Sequence, residues 1–265
     1  KITKVVEFAE KASLPIVGIW DGDGQRAHEG VTSLGSTGEL LDALVSCSGK
    51  VPLISIVLGT VSGTSALAAG ISDFVILGNK RGRMFIRSPY SIPEIIDGEI
   101  DEETLGGAVQ HASRSGIACM VSNSEEEAFD MVAEILAYLP DHTMSEAPVI
   151  STGDRWDRKC KGIRKLVPED SDSPYDIREV FNHVFDEGRF LELFSSYAEN
   201  IVIGFARLDG YSVGVIGNQP SVLAGCLDID ASVKAARFIR TCDCFNIPLV
   251  TFVDVPGFLP GTVQE

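Results

Sequence analysis

Two glycine-rich loops carry the residue pattern from which a reactive site could be built. The first reads Gly22-Asp23-Gly24-Gln25-Arg26, and the second runs from Gly59 to Ser65 with the sequence GTVSGTS. Glycine has no side chain, so a ligand can approach the backbone N–H groups of such loops, and these groups can stabilise negative charge that develops on an oxygen. The alternative interpretation is that both loops are ordinary turns of an α/β domain.

Other polar residues are weaker candidates. Asp21 and Asp254 each follow a predicted strand, where capping a turn is the expected role rather than acid–base chemistry. Arg237 and Arg240 are predicted to lie on a solvated or interface face of a helix. The four histidines have no partner at a telling spacing, so solvated or core positions are expected for His28, His111, His142 and His183.

The six cysteines show no C-x-x-C or Cys/His zinc spacing, which predicts a reduced, cytoplasmic protein without a metal site. Cys242 and Cys244 are two residues apart on a predicted helix, and side chains at that spacing do not face each other. Buried, unreactive thiols are therefore expected.

Composition excludes several classes of partner. The chain has 265 residues, of which 45% are hydrophobic and 23% charged, as in globular proteins. The net charge of −16 repels a phosphate backbone, so nucleic acid is not expected as a partner. Residues 51–72 are uncharged, but Pro52, Gly59 and Gly63 interrupt them; this pattern predicts strand, loop and helix rather than a membrane span.

An internal repeat reveals the elements that must position the loops. Residues 1–24 and 234–257 align without gaps, with identical residues at five of 24 positions. Each copy predicts an amphipathic helix, a turn marked by Pro15 or Pro248, and an apolar strand that ends at a glycine loop. The sequence therefore predicts an α/β fold built from a repeated helix–strand unit.

The region between the two copies divides the chain. A helix predicted at Glu125 to Leu139 has acidic residues in its first turn, as helix N-termini prefer. The polar, turn-rich stretch that follows predicts a linker. We therefore predict a first domain at 1–140, a linker at 141–173 and a second domain at 174–265. The unequal surroundings of the two copies suggest that both domains are incomplete in this sequence.

From Tyr175 onward the sequence resembles the β subunit of propionyl-CoA carboxylase and related biotin-dependent acyl-CoA carboxylases and decarboxylases. Two segments carry the resemblance, YAENIVIGFARLDGYSVGVIGNQP and LAGCLDIDASVKAARFIRTCDCFNIPLVTFVDVPGFLPGT. RAHEGVTSLG, VPLISIVLG and ETLGGAVQHASRSGIA follow the first domain of this family more loosely. The resemblance covers nearly the whole chain, which corresponds to about the middle half of a family member.

The resemblance implies two crotonase-like domains, each a β-β-α superhelix. It also implies carboxyl transfer between carboxybiotin and a short-chain acyl-CoA, with acyl-CoA on the first domain and biotin on the second domain of a neighbouring subunit. The expected partners are acyl-CoA, a biotin carboxyl carrier protein or biotin carboxylase subunit, and further copies of the chain in a dimer-built hexamer. A eukaryotic member would lie in the mitochondrial matrix.

The resemblance also implies the roles of individual residues. The backbone amides near Gln25 and of Gly63 and Thr64 would bind the thioester carbonyl, while Gly24 and Arg26 would lie beside the coenzyme. Pro256 and Gly257 would belong to the biotin-side loop.

Asp23, Gln25 and Thr64 depart from the small residues usual in the family. Two alternatives therefore stay open: a biotin-independent crotonase-type acyl-CoA enzyme, and a non-catalytic structural subunit of a carboxylase complex.

Overall fold

The computed structural model describes residues 1–22, 24, 26–89, 101–170, 173–262 and 264. Gln25 and Asp23 lie outside the described residues. The chain forms two compact units. Unit 1 comprises Lys1–Leu136 and Pro140–Ser145, and unit 2 comprises Ala137–Leu139 and Glu146–Glu265.

Unit 1 is built on a parallel sheet of four strands. The strand order is β1-β2-β4-β6, and a separate parallel pair is formed by β3 and β5. The strands are β1 Ile16–Trp20, β2 Leu53–Val57, β3 Thr60–Ser62, β4 Phe74–Gly78, β5 Arg83–Phe85 and β6 Met120–Ser122. The helices are α1 Ile2–Ala12, α2 Val31–Cys47, α3 Thr64–Gly70, α4 Glu102–Gly106, α5 Ala108–Ser113 and α6 Glu125–Tyr138, the last of which ends in unit 2.

The apolar segment VPLISIVL, at 51–58, contains β2, which lies between β1 and β4 in this sheet. Every residue of β2 is buried, as expected for a strand covered on both faces in a parallel sheet. The loop predicted at 59–65 is in part a strand, because Thr60–Ser62 pairs with Arg83–Phe85. Thr60 and Val61 are β-branched and favour this extended backbone.

Unit 2 contains a mixed sheet of order β10-β9-β8-β7. Strands β7, β8 and β9 are antiparallel, and β10 runs parallel to β9. Its elements are α7 Ile177–Val184, β7 Phe190–Leu193, β8 Ile201–Leu208, β9 Tyr211–Asn218, α8 Ile229–Cys244 and β10 Leu249–Phe252. Phe181 of α7 anchors the core, with ring centroids 4.9 Å from Phe190 and 5.0 Å from Phe252.

The repeated helix–strand unit is confirmed as α1–β1 in unit 1 and α8–β10 in unit 2. Part of the stretch predicted as a linker packs onto unit 2, because Arg158 donates hydrogen bonds to the carbonyls of His183 and Phe185 at 2.7 and 3.0 Å. Arg207 likewise donates to the Pro148 carbonyl at 2.8 Å. In the part of the chain that the structure describes, none of the helices combines the length and apolar character needed to traverse a membrane.

Candidate functional site

The two glycine loops of unit 1 meet at the carboxyl ends of β1 and β2. The Trp20 carbonyl at the end of β1 accepts hydrogen bonds from the N–H groups of Leu58 and Gly59, at 2.9 and 3.4 Å. Gly24 has a φ of +97°, and a Cβ atom there would lie 3.1 Å from both the Ser62 carbonyl oxygen and Ser65 Oγ. The first loop therefore lies directly against the second, and glycine suits position 24 both in conformation and in space.

The two backbone amides predicted for the second loop differ in availability. Gly63 has a φ of 58° and precedes α3, but its N–H already donates to the Phe85 carbonyl at 3.0 Å. Thr64 is the first residue of α3, and first-turn N–H groups have no partner within the helix. Of this pair, only the Thr64 N–H is without an acceptor among the described residues.

A cavity of about 420 Å³ lies beside this junction. Gly24 and Thr64 line it together with hydroxyl groups from the second loop and α2, which are those of Ser65, Ser33, Ser36 and Thr37. Trp20 forms part of the wall, and its Nε1 donates to Ser55 Oγ at 2.9 Å, which fixes the indole ring. Thr64 and Gly24, from the two loops, therefore border the same cavity.

Arginine side chains supply positive charge near these loops. Arg26 is exposed over 75% of its side chain, and its NH1 lies 3.3 Å from Glu29 Oε1. Arg81 lies 3.9 Å from Asp21. Exposed ion pairs of this kind are weak, so both guanidinium groups can exchange their carboxylate for a phosphate.

In unit 2, the predicted biotin-side loop follows β10. The Gly257 carbonyl accepts a hydrogen bond from the Leu227 N–H at 3.1 Å, and the Leu259 N–H donates to the Leu227 carbonyl at 2.8 Å. A Cβ atom on Gly257 would meet nothing within 4 Å, so space is open at this residue. Pro256 lines a cleft of about 730 Å³ together with Tyr175.

A tyrosine–aspartate pair in this cleft was not predicted from the sequence. Tyr175 Oη donates to Asp254 Oδ2 at 2.7 Å, although the two residues are 79 positions apart. Burial, followed by the interactions with Asp254, raises the pKa of Tyr175 to about 12. The tyrosine therefore stays protonated and acts as a hydrogen-bond donor at physiological pH. The Asp254 carboxylate accepts this bond, and its predicted role in capping a turn stays a prediction.

The histidines take structural positions where their contacts are described. His111 lies between the Met84 carbonyl and Ser115 Oγ, each at 2.9 Å. His183 Nδ1 lies 2.8 Å from the Glu179 carbonyl oxygen, and the Met144 N–H donates to His142 Nδ1 at 3.1 Å. His28 is exposed.

The two arginines of α8 differ in burial, because Arg240 is exposed and Arg237 is half-buried. Arg237 stacks over the Phe194 ring at 5.7 Å. Within the described ranges, no group of three or more His, Cys, Asp or Glu side chains could hold a metal ion.

Comparisons with known proteins identify relatives over the full chain. The family model described as "Carboxyl transferase domain" matches residues 1–265. A propionyl-CoA carboxylase carboxyltransferase subunit of Haloferax mediterranei is 44% identical over 265 residues, which are 100% of this chain and 51% of the relative. The methylmalonyl-CoA decarboxylase subunit alpha of Veillonella parvula is 43% identical over 265 residues, again 100% of this chain and 52% of the relative.

Among solved structures, transcarboxylase 12S superposes with a TM-score of 0.96 at 39% identity, covering 100% of this chain and 51% of that one. That structure is described as a hexamer with methylmalonyl-CoA bound. The match confirms the predicted α/β, crotonase-like fold. The chain spans about half the length of the curated relatives it matches.

Proposed function

Because the chain belongs to the carboxyl transferase domain family, we propose that it is part of an enzyme that moves a carboxyl group between biotin and a short-chain acyl-CoA. The observation that carries this proposal is the junction of the two glycine loops. There Thr64, whose N–H has no acceptor among the described residues, lines a cavity, and Gly24 lies against the same loop. Propionyl-CoA and methylmalonyl-CoA are the proposed substrates.

The chemistry needs a group that stabilises an enolate. Loss or gain of a carboxyl group at the α-carbon of a thioester places negative charge on the thioester oxygen. A preorganised backbone N–H directed at that oxygen lowers the barrier most when it needs no rearrangement. We assign this role to the Thr64 amide, and to the amide of Gln25, which lies outside the described residues. Gly63 contributes the turn rather than a donor.

Charge and open backbone suggest where the two ligands bind. We assign Arg26 and Gly24 to the coenzyme, because Arg26 is an exposed cation beside the junction. Biotin, when bound, supplies or accepts the carboxyl group. The open space at Gly257, next to Pro256, fits the close approach of such a ring.

The domain assignment is part of the same proposal. Acyl-CoA would bind the first domain, at 1–140, and biotin the second, at 174–265. A biotin carrier protein or biotin carboxylase subunit and further copies of the chain would be the partners, in the cytoplasm or the mitochondrial matrix.

Carboxyl exchange tests the proposal. The purified protein is incubated with free biotin, with methylmalonyl-CoA isotopically labelled in its carboxyl group as the donor, and with acetyl-CoA or deuterated propionyl-CoA as the acceptor. Transfer of the labelled carboxyl group to the acceptor is followed. We expect exchange with at least one thioester and none without biotin. Absence of exchange with every thioester would contradict the proposal. Turnover of an enoyl-CoA without biotin would indicate a crotonase-type enzyme. Assembly of the protein into an oligomer that does not bind coenzyme A would indicate a structural subunit, the alternative that the side chain of Thr64 suggests.

A further inference from the structure

A turn with unusual backbone conformation lies beside the biotin-side loop. Leu223, Ala224 and Gly225 have consecutive positive φ values of 50°, 53° and 74°. For residues with a side chain, this left-handed conformation costs roughly 1–2 kcal/mol each. Such strain persists only where surrounding contacts hold the backbone in place, so the contacts of this turn indicate what it supports.

The turn packs directly against the residue that begins the loop. A Cβ atom on Gly225 would lie 2.7 Å from the Asp254 carbonyl oxygen, so position 225 requires glycine for space as well as for conformation. The backbone of Asp254 therefore packs directly against the strained turn.

Asn218 links the turn to the loop. This residue is only 7% exposed; its Nδ2 donates to the Gly225 carbonyl at 3.0 Å, and its Oδ1 accepts from the Asp254 N–H at 3.3 Å. Both bonds are needed at once, and an amide side chain offers a donor and an acceptor together. Neither aspartate nor alanine can replace both.

The loop is thus held at two places. At its start, Asn218 binds the Asp254 backbone and Tyr175 binds the Asp254 carboxylate. Further along, both backbone groups of Leu227 pair with the segment from Gly257 to Leu259. Pro256, between these attachments, has no N–H and a fixed φ, which stiffens the segment further.

We propose that Asn218 is a positioning residue for carboxyl transfer. Together with Tyr175 and the turn at Gly225, it holds the biotin-side loop so that the open backbone at Gly257 meets biotin in one geometry. This inference rests on the proposed function and adds residues to its biotin half. A displacement of about 1 Å at such a site can lower kcat/KM for biotin on the order of 100-fold.

The test compares Asn218→Ala and Tyr175→Phe with the unsubstituted protein, using exchange between free biotin and the best acyl-CoA. We expect Asn218→Ala to raise the KM for biotin about 10-fold or more and Tyr175→Phe to raise it about 3-fold. The KM for acyl-CoA is expected to stay within twofold, because the proposed acyl-CoA residues lie in the other unit. Loss of folded protein alone would lower kcat and leave both KM values unchanged.

Ser212→Ala is the matched control, because Ser212 is also buried in unit 2 but bonds to Arg207 rather than to the loop. An unchanged KM for biotin in Asn218→Ala would overturn the inference. If that variant fails to fold, as judged by circular dichroism, Tyr175→Phe decides by the same criterion. Absence of exchange in the unsubstituted protein would instead contradict the proposed function.

Discussion

At the scale of single residues, the backbone amides of Gly63 and Thr64 at the start of α3 differ in their hydrogen bonding, although the sequence predicts the same role for both. The Gly63 N–H donates to the Phe85 carbonyl, whereas the Thr64 N–H has no acceptor among the described residues. This difference leaves Thr64 as the amide of the second loop to which we assign enolate stabilisation. A backbone donor can be removed only by proline, and Thr64 happens to occupy a position that tolerates it.

We predict that Thr64→Pro lowers kcat for carboxyl exchange about 100-fold. Proline at the first helical position removes an N–H that makes no helical bond, so the fold should be retained. Loss of one oxyanion donor typically costs on the order of 100- to 1,000-fold. Steady-state kinetics provides the measurement, and Thr64→Ala, which keeps the N–H, is the control. Equal kcat values for the two variants would exclude the Thr64 amide from catalysis.

Lys234 is a buried cation without a place in the proposed chemistry. Its Nζ lies within hydrogen-bonding distance of four backbone carbonyl oxygens, which its three N–H groups share, at 2.9, 2.6, 3.3 and 2.8 Å. These carbonyls belong to Phe194, Tyr197, Ala198 and Ile201, from the end of β7 to the first residue of β8. Lys234 is only 4% exposed, and burial lowers its pKa from 10.5 to about 8. The ammonium group ties this segment to α8.

We predict that Lys234→Met lowers the free energy of unfolding by about 2 kcal/mol at pH 7.5, because charged hydrogen bonds are lost from buried carbonyls. The difference between the two proteins should increase with pH. Below pH 8 Lys234 is protonated in both the folded and the unfolded protein, so the folded protein bears the full free-energy cost of burying the charge. Between pH 8 and 10.5 only the unfolded state keeps the proton, which favours the folded state of the unsubstituted protein.

Urea denaturation of both proteins at pH 7.5 and 9.5 measures this difference. We expect it to grow by about 1–2 kcal/mol, since one pKa unit corresponds to about 1.4 kcal/mol. A constant difference across this pH range would show that Lys234 does not titrate there.

At the scale of elements, the repeat extends to the helix ends. Ser13 after α1 and Asn246 after α8 have φ values of 57° and 54°. The residue that follows each donates back into its helix, with Leu14 N to the Ala9 carbonyl at 3.0 Å and Ile247 N to the Cys242 carbonyl at 2.9 Å. Both helices therefore end in the same left-handed turn, which leads the chain into the following strand.

We predict that Ser13→Gly stabilises the protein by about 0.5–1 kcal/mol, because glycine adopts positive φ without steric cost. Asn246→Gly should gain only a few tenths of a kcal/mol, since asparagine already tolerates this conformation. Urea denaturation of the two variants provides the comparison. A gain for Asn246→Gly as large as that for Ser13→Gly would contradict the conformational argument.

At the scale of the whole molecule, the six cysteines differ in how deeply each is buried within its own unit. All six are free thiols. Cys47, Cys119 and Cys242 are buried, while Cys160, Cys226 and Cys244 are half-buried. Burial raises the pKa of the Cys242 thiol to about 12 and also raises that of Cys47. Since the thiolate is the reactive form, these two thiols should be inert in the folded protein.

We predict that iodoacetamide at pH 8 alkylates Cys160, Cys226 and Cys244 of the folded protein well before the three buried cysteines. In urea, all six should react at similar rates, because unfolding removes the difference in burial. Peptide mass spectrometry of timed samples gives the rate at each position. Alkylation of Cys242 as fast as Cys160 in the folded protein would contradict the packing of α8 against its sheet.

The sequence by itself determined the features that depend on local pattern. Hydrophobic spacing and turn residues predicted α1–β1 and α8–β10 as one repeated unit, and the glycine loops stood out because side-chain-free positions are visible in any sequence. The burial of Lys234 also has a signal in the sequence, because helical spacing places this residue on the same face of α8 as Phe238 and Cys242, which are buried. That signal was missed because charged residues are seldom expected in a core.

Only the tertiary structure decided which backbone groups already have a hydrogen-bond partner and which residues distant in sequence come into contact. The Gly63 N–H is bonded because β5 pairs beside β3, and Tyr175 reaches Asp254 across 79 residues because α7 and β10 pack in one core. Asn218 joins a turn to a loop that lies 36 residues further along. Local periodicity carries no information about such pairings, because strand order and long-range packing bring these groups together only in the folded chain.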